Sequence, residues 1–179
     1  SGNTNKATDL IVYNTLVSTA SEGNSNKAFL GNSTIQRQNI ENVTFETSVP
    51  DTVYNYITGE YGDSTAWDVS AQQDKSIIAW YETSNENGAL KVHIGSNDEI
   101  FANQDSSCLF SSIGHASICT ATEAITNIDL LNVSSVTNMS NMFFDCGFTA
   151  MTSLDLGDKF DTSNVTDMSV MFSETGFEA

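Results

Sequence analysis

Apolar and polar positions change their spacing along this chain, and each spacing predicts a different element. Ser76-Ile77-Ile78-Ala79-Trp80-Tyr81 and Ala89-Leu90-Lys91-Val92-His93-Ile94 are short apolar runs on either side of Thr83-Ser84-Asn85-Glu86-Asn87-Gly88. Two such runs around a Gly-containing turn predict a β-hairpin with a longer loop. In the second run Leu90, Val92 and Ile94 alternate with Lys91 and His93, so the first set faces a core and His93 faces out. Upstream, Ile40-Glu41-Asn42-Val43-Thr44-Phe45 is β-branched and aromatic and predicts a strand, with Pro50-Asp51 a turn before Val53 to Tyr61. The stretch up to about Glu46 is rich in Asn, Ser and Thr and carries one apolar patch, Leu10, Ile11, Val12, Leu16 and Val17.

From about Ile125 the chain repeats itself. Ala124-Ile125-Thr126-Asn127-Ile128-Asp129-Leu130 returns as Ala150-Met151-Thr152-Ser153-Leu154-Asp155-Leu156, an offset of 150 − 124 = 26 residues. Val136-Thr137-Asn138-Met139-Ser140-Asn141-Met142-Phe143 returns as Val165-Thr166-Asp167-Met168-Ser169-Val170-Met171-Phe172, an offset of 165 − 136 = 29, with Gly157-Asp158-Lys159 as a loop insertion. A period in the twenties is the length of a leucine-rich-type solenoid coil, one short strand plus one short helix or turn. Ile128-Asp129-Leu130 and Leu154-Asp155-Leu156 predict neighbouring parallel strands, apolar side chains inward and carboxylates outward. Val136, Met139, Met142 and Phe143 fall at i, i+3, i+6 and i+7, the stripe of a short helix capped by Ser134 or Ser135. Met168, Met171 and Phe172 would layer against that stripe, their thioethers filling gaps between coils, with Cys146 at a small buried position in the same layer.

The expected fold class is therefore α+β: a β-rich head with a polar N-terminal segment over residues 1–104, then a solenoid of about two repeats over residues 105–179. The second copy stops unfinished at Ala179. Its Met168, Met171 and Phe172 are expected to be partly uncapped, favouring an end-to-end dimer.

Charge narrows the function. Six Lys and Arg against twenty-three Asp and Glu leave a formal net charge of −17. Such a field repels phosphate backbones and anionic headgroups, which argues against nucleic acid and against basic membrane docking. It favours cationic partners or divalent metals, and its plainer meaning is a solvated acidic surface. No apolar run is long enough for a transmembrane helix. Three cysteines, Cys108, Cys119 and Cys146, are an odd number; Cys108 and Cys119 are open to a disulfide or to two buried thiols.

Motifs of enzymatic chemistry are missing. There is no phosphate-cradling Gly-rich loop, HExxH, paired CxxC or serine-nucleophile elbow. Cys108, His115 and Cys119 make a weak zinc or thiol-histidine pattern, and no calcium-loop spacing occurs, so no cofactor and no metal is implied. Asn132, Asn138 and Asn164 precede Ser or Thr by two places and read as turn and capping groups in the repeats.

Phe160-Asp161-Thr162-Ser163-Asn164-Val165-Thr166-Asp167-Met168-Ser169 followed by Met171-Phe172 resembles the 26-residue repeat of the BspA-like leucine-rich surface proteins. Trp67-Asp68-Val69-Ser70, Ile78-Ala79-Trp80 and Ser106-Ser107-Cys108-Leu109-Phe110 are similar to the head that precedes such repeats. The resemblance implies a secreted or cell-surface, non-enzymatic adhesion module that recognises an extracellular protein or glycan. A passive stalk that only displays another domain is the alternative. The expected recognition surface is an acidic column of Asp129 and Asp155, reinforced by Asp161 and Asp167 and opposed in the repeats only by Lys159.

Overall fold

The computed structural model describes residues 14–20, 22, 29, 35–58, 65–147 and 150–176. Leu10, Ile11 and Val12 lie outside them, whereas Leu16 and Val17 are buried.

A five-stranded mixed sheet holds the first half. Its strands are β1 (Ile40–Glu46), β2 (Ala66–Asp68), β3 (Ile78–Thr83), β4 (Leu90–Gly95) and β6 (Ile125–Thr126), in the order β2-β3-β4-β1-β6. The expected hairpin is β3 and β4, antiparallel with Ile78 opposite Gly95 and Thr83 opposite Leu90. Its loop is shaped by Asn85, whose Oδ1 accepts the amides of Asn87 and Ala89, and by Gly88 at φ 86°. Val92 and Ile94 are fully buried as the alternation required. His93 is half-buried rather than free in solvent: it stacks on Trp80 with centroids 5.1 Å apart and lies 2.8 Å from the Glu46 carboxylate.

β1 is covered on both faces because it is a central parallel strand, paired with β4 on one side and β6 on the other. Val43 and Phe45 enter the core, and the strand's polar groups are all bonded. Asn42 donates to the Glu123 carbonyl, and the Glu41 carboxylate accepts the Thr120 and Ala121 amides at 2.7 and 3.2 Å. Burial alone would raise the Glu41 pKa, but these bonds and one with Ser84 outweigh it and hold it below the ordinary glutamate value. After Pro50 the chain forms α1 (Asp51–Thr58) in place of the expected turn. Pro50 supplies its carbonyl to the Tyr54 amide, and Asp51 stands in the first turn, where the helix dipole favours an anion. A second, two-stranded parallel sheet joins β5 (Ile100–Phe101) to β7 (Leu131–Asn132). The described residues are mostly β with very little helix: the β part of the expected α+β class is present among them, and the helices of the expected solenoid are not.

The repeat region also departs from expectation. Ile128–Leu130 is a 3-10 turn, and the strands lie on either side of it in β6 and β7. Leu154-Asp155-Leu156 forms no strand, and neither Val136–Phe143 nor Val165–Phe172 is helical. A leucine-rich coil, strand followed by helix, is not formed among the described residues, and the ladder of Ile128 and Leu130 beside Leu154 and Leu156 is absent there.

Instead three segments, residues 105–113, 138–146 and 167–175, lie as parallel tiers joined by the bridges Asp105–Asn138 and Asn138–Asp167. Each tier winds in overlapping turns. In the middle tier the amides of Met142, Phe144 and Cys146 each donate three residues back, to Met139, Asn141 and Phe143. Four other amides, Met139, Asn141, Phe143 and Asp145, donate to Asp167, Ser169, Met171 and Ser173 of the third tier at 2.8–3.0 Å. Its free carbonyls, Asn138, Ser140, Met142 and Phe144, accept Ser106, Cys108, Phe110 and Ser112 of the first tier at 2.8–3.1 Å. Half the backbone groups thus bond within a tier and half between tiers, so no buried group is stranded. The turns require a left-handed residue at every fourth place: Cys108 and Ser112, Asn141 and Asp145, Val170 and Glu174, all at φ 56–61°.

The three tiers share one local motif, Asp or Asn, any residue, Ser, any residue, Leu or Met, Phe. Asp105, Asn138 and Asp167 each accept the amide of the serine two places on, at 3.1, 2.9 and 2.9 Å. Leu109, Met142 and Met171 are buried, and Phe110, Phe143 and Phe172 stack with centroids 5.4 and 5.5 Å apart. Cys146 packs beneath them as a buried thiol, its pKa pushed up to about 12 by burial. Cys108 and Cys119 are also free thiols, and burial pushes Cys119 up to about 11.

The first tier's outward carbonyls meet side chains instead of another tier. Thr19 Oγ1 donates to Ser107, and the fully buried Arg37 guanidinium donates to Cys108, Leu109 and Ser111 while pairing with Glu22 at 2.7 Å. Desolvation pulls the Arg37 pKa below its ordinary value against the opposing pull of Glu22.

Candidate functional site

His115 Nδ1 lies 2.9 Å from Asp145 Oδ1, while the Cys119 thiol donates to the Gln38 carbonyl. Among the described residues no three metal-capable side chains come together.

What the fold does assemble is a set of acidic clefts that share Asp129. One, of about 340 Å³, lies between the end of β1, the turn from β4 to β5, and the loop before the third tier. Glu46, Asp98, Glu99 and Asp129 contribute its carboxylates, and Lys159 its one cation. A second, of about 280 Å³, holds Glu99, Asp129 and Asp161 with the same Lys159. A third, of about 240 Å³, holds Glu123, Asp129 and Asp155.

Asp129 reaches this position because Asn127 adopts φ 59° and anchors its amide side chain to the Phe45 carbonyl, tying the 3-10 turn to the end of β1. The exposed Asp129 carboxylate accepts the Lys159 amide at 3.3 Å, and a Cβ on Gly157 would overlap it. Gly157 also has φ 67°, a left-handed conformation that glycine adopts without strain. Asp155 accepts the Gly157 amide at 2.8 Å, so both carboxylates shape the Gly157–Lys159 loop.

The four expected site residues therefore divide. Asp129 and Asp155 line one cleft, and Asp129 and Asp161 another, but on irregular chain and not as a column on adjacent strands. Asp167 stands apart at the start of the third tier, its backbone bridged to Asn138. Asp161 and Asp167 are exposed, and the amide and side-chain bonds from Ser163 and Ser169 hold their pKa values below the ordinary aspartate value. Glu46, Asp98, Glu99 and Glu123 were not foreseen in the site. They arrive through pairing of β1 with β4 and β6, which no local spacing encodes.

The geometry defines a set of mostly β described residues with acidic clefts beside a tiered region. Residues 115–178 match a family model described as Mycoplasma protein of unknown function, DUF285. That match covers the second and third tiers and all four of Asp129, Asp155, Asp161 and Asp167. In the comparisons with curated proteins and with solved structures, nothing matches the chain.

Proposed function

We propose that the protein is a secreted, cell-surface binding module without enzymatic activity, whose tiers begin a solenoid of the kind the BspA-like resemblance implies. Its partner is an extracellular protein or glycan that presents positive charge to the clefts around Asp129. The observation that carries this reading is the convergence of Glu46, Asp98, Glu99, Asp129 and Asp161 on two clefts relieved only by Lys159. Side chains from four separate parts of the chain meet there, and carboxylates so arranged attract a cation strongly at low ionic strength and weakly at high.

One observation favours the alternative, a passive stalk. Asp129 and Asp155 already bond amides of the Gly157–Lys159 loop, which gives both a structural role. Binding of the immobilised chain to a panel of matrix proteins and glycans separates the two. The module reading expects saturable binding that weakens at least tenfold between roughly 50 and 200 mM salt. Asp98→Asn with Glu99→Gln, two carboxylates outside the Gly157–Lys159 loop, should weaken it further with no change in melting temperature. No saturable partner at low salt, or equal binding by the double variant, rejects the clefts as a recognition surface.

A further inference from the structure

His93 stands on the large sheet with a carboxylate at each ring nitrogen. Nδ1 lies 2.8 Å from Glu46 Oε1 at the end of β1, and Nε2 lies 3.5 Å from Glu82 Oε1 on β3. Directly across the sheet its neighbours are Thr44 on β1 and Trp80 on β3. Among the described residues no other carboxylate pairs with the ring. The cation on the same face of its own strand is Lys91, two residues earlier and in register with Glu82.

The ring is held in this orientation. Its side chain is 13% exposed and stacks on Trp80, with centroids 5.1 Å apart and planes inclined by 7°. Gly95 makes room for that stack, since a Cβ there would lie 2.8 Å from the Ser48 carbonyl oxygen and 3.0 Å from the Trp80 ring.

The two carboxylates distinguish the ring's protonation states. A neutral imidazole has one N–H and one lone pair, so it donates to one carboxylate and sets a lone pair against the other; the imidazolium donates to both. Loss of the second proton also removes a positive charge from beside Glu46. Glu46 carries that change into the cleft of about 340 Å³, which it lines with Asp98, Glu99, Asp129 and Lys159. Four carboxylates there face two cations while His93 is charged, and Lys159 alone once it is neutral. Histidine is the side chain whose ordinary titration falls between about pH 5 and 8. The chain has two histidines, and the other, His115, pairs with Asp145 and lines none of the three clefts.

We infer that His93 is the pH sensor of this cleft, which holds a cationic partner weakly while the ring carries two protons and more tightly once it has lost one. By linkage, arrival of the partner at Glu46 expels the same proton. The inference rests on the reading of the cleft as a cation-binding surface and adds its regulation.

The test is binding of fluorescein-labelled hexalysine to the full chain at low salt, followed by anisotropy at about pH 5.5 and about pH 8, a range in which lysine side chains stay charged. The parent should bind about fivefold more tightly at the higher pH. His93→Gln should bind equally at both, with the affinity the parent shows at the higher pH, and His115→Gln should keep the parent's pH dependence. Glu46→Gln should bind weakly and without pH dependence. Calorimetry of the parent at about pH 6.5 in two buffers of different ionisation heat needs no variant, and should show a fraction of a proton released per probe bound. Binding that is independent of pH but lost in Asp98→Asn with Glu99→Gln keeps the cleft as a cation site and overturns the sensor. So does a pH dependence that survives in His93→Gln. Absence of saturable hexalysine binding at either pH overturns the cleft reading and the sensor together.

Discussion

The two ends of the tiered region are built from the same local motif and finished in opposite ways. At the first tier, carbonyls that would otherwise be stranded are closed by Thr19 and Arg37, and Phe110 is fully buried. At the third, the amides are open and Phe172 is nearly half exposed. Overlapping turns leave acceptors on one side of every tier and donors on the other, so a stack has a direction. An acceptor edge can be closed by one forked cation, because a guanidinium carries five donors in a fixed geometry. A donor edge needs several carbonyls in register, which another wound backbone supplies.

The sharpest way to break the contrast is at the closed end. Arg37→Ala leaves Glu22 buried without its cation and strips three carbonyls of a donor. The expected loss is about 3–5 kcal/mol, equivalent to a fall in melting temperature of roughly 10 °C for a chain of this size. Arg37→Lys should recover less than half of this, because one ammonium cannot fork to three carbonyls and a carboxylate. A melting temperature within about 2 °C of the parent for Arg37→Ala would show that the first tier needs no cap.

Phe143→Ala and Phe172→Ala, measured side by side by denaturant unfolding, sharpen the comparison. Phe143 lies between two rings, and its truncation should cost about 3–5 kcal/mol. Phe172 has one ring neighbour among the described residues and is 45% exposed, and should cost about a third of that. Equal losses would mean that the third tier is as well covered as the second. The smallest effect expected is a gain: Val170→Asn relieves the left-handed valine and should stabilise the chain by about 1 kcal/mol. A loss of stability in that variant would place Val170 in a contact within its own chain.

Much of this was legible in the sequence where a spacing has a single structural meaning. The hairpin followed from strict alternation across β4, and the likeness of Val136–Phe143 to Val165–Phe172 located two stacked tiers. The helix expected there failed because apolar residues at i, i+3 and i+6 also suit turns closed by i+3 hydrogen bonds. Left-handed residues at every fourth place separate the two, and their signature, Asn141 and Asp145, becomes ambiguous where Val170 and Glu174 replace them. The first tier was missed as a repeat because Ser106 and Cys108 stand where later copies have Met139 and Asn141, although Asp105, Ser107 and Phe110 keep the frame. Of the residues lining the clefts, Asp129 and Asp155 were named from their matched repeat positions and Asp161 as a neighbouring carboxylate. Glu46 and Glu99 were not, since only pairing between distant strands brings them to Asp129.

The central place of β1 also constrains how the molecule is made. Val43 pairs with Ile125, a separation of 125 − 43 = 82 residues. At ribosomal rates of about 5–20 residues per second, that is on the order of 4–16 s of synthesis during which this side of β1 has no neighbour. A buried central strand waiting with an exposed edge invites pairing with other nascent chains. Glu41, Asn42 and Thr44 interrupt its apolar run, and their polar side chains keep the waiting strand from being uniformly sticky. In the finished sheet the same three side chains are bonded, Glu41 and Asn42 to the segment around Thr120–Glu123 and Thr44 to Asn42. The groups that keep β1 soluble during synthesis are thus the ones that recognise its last partner when it arrives.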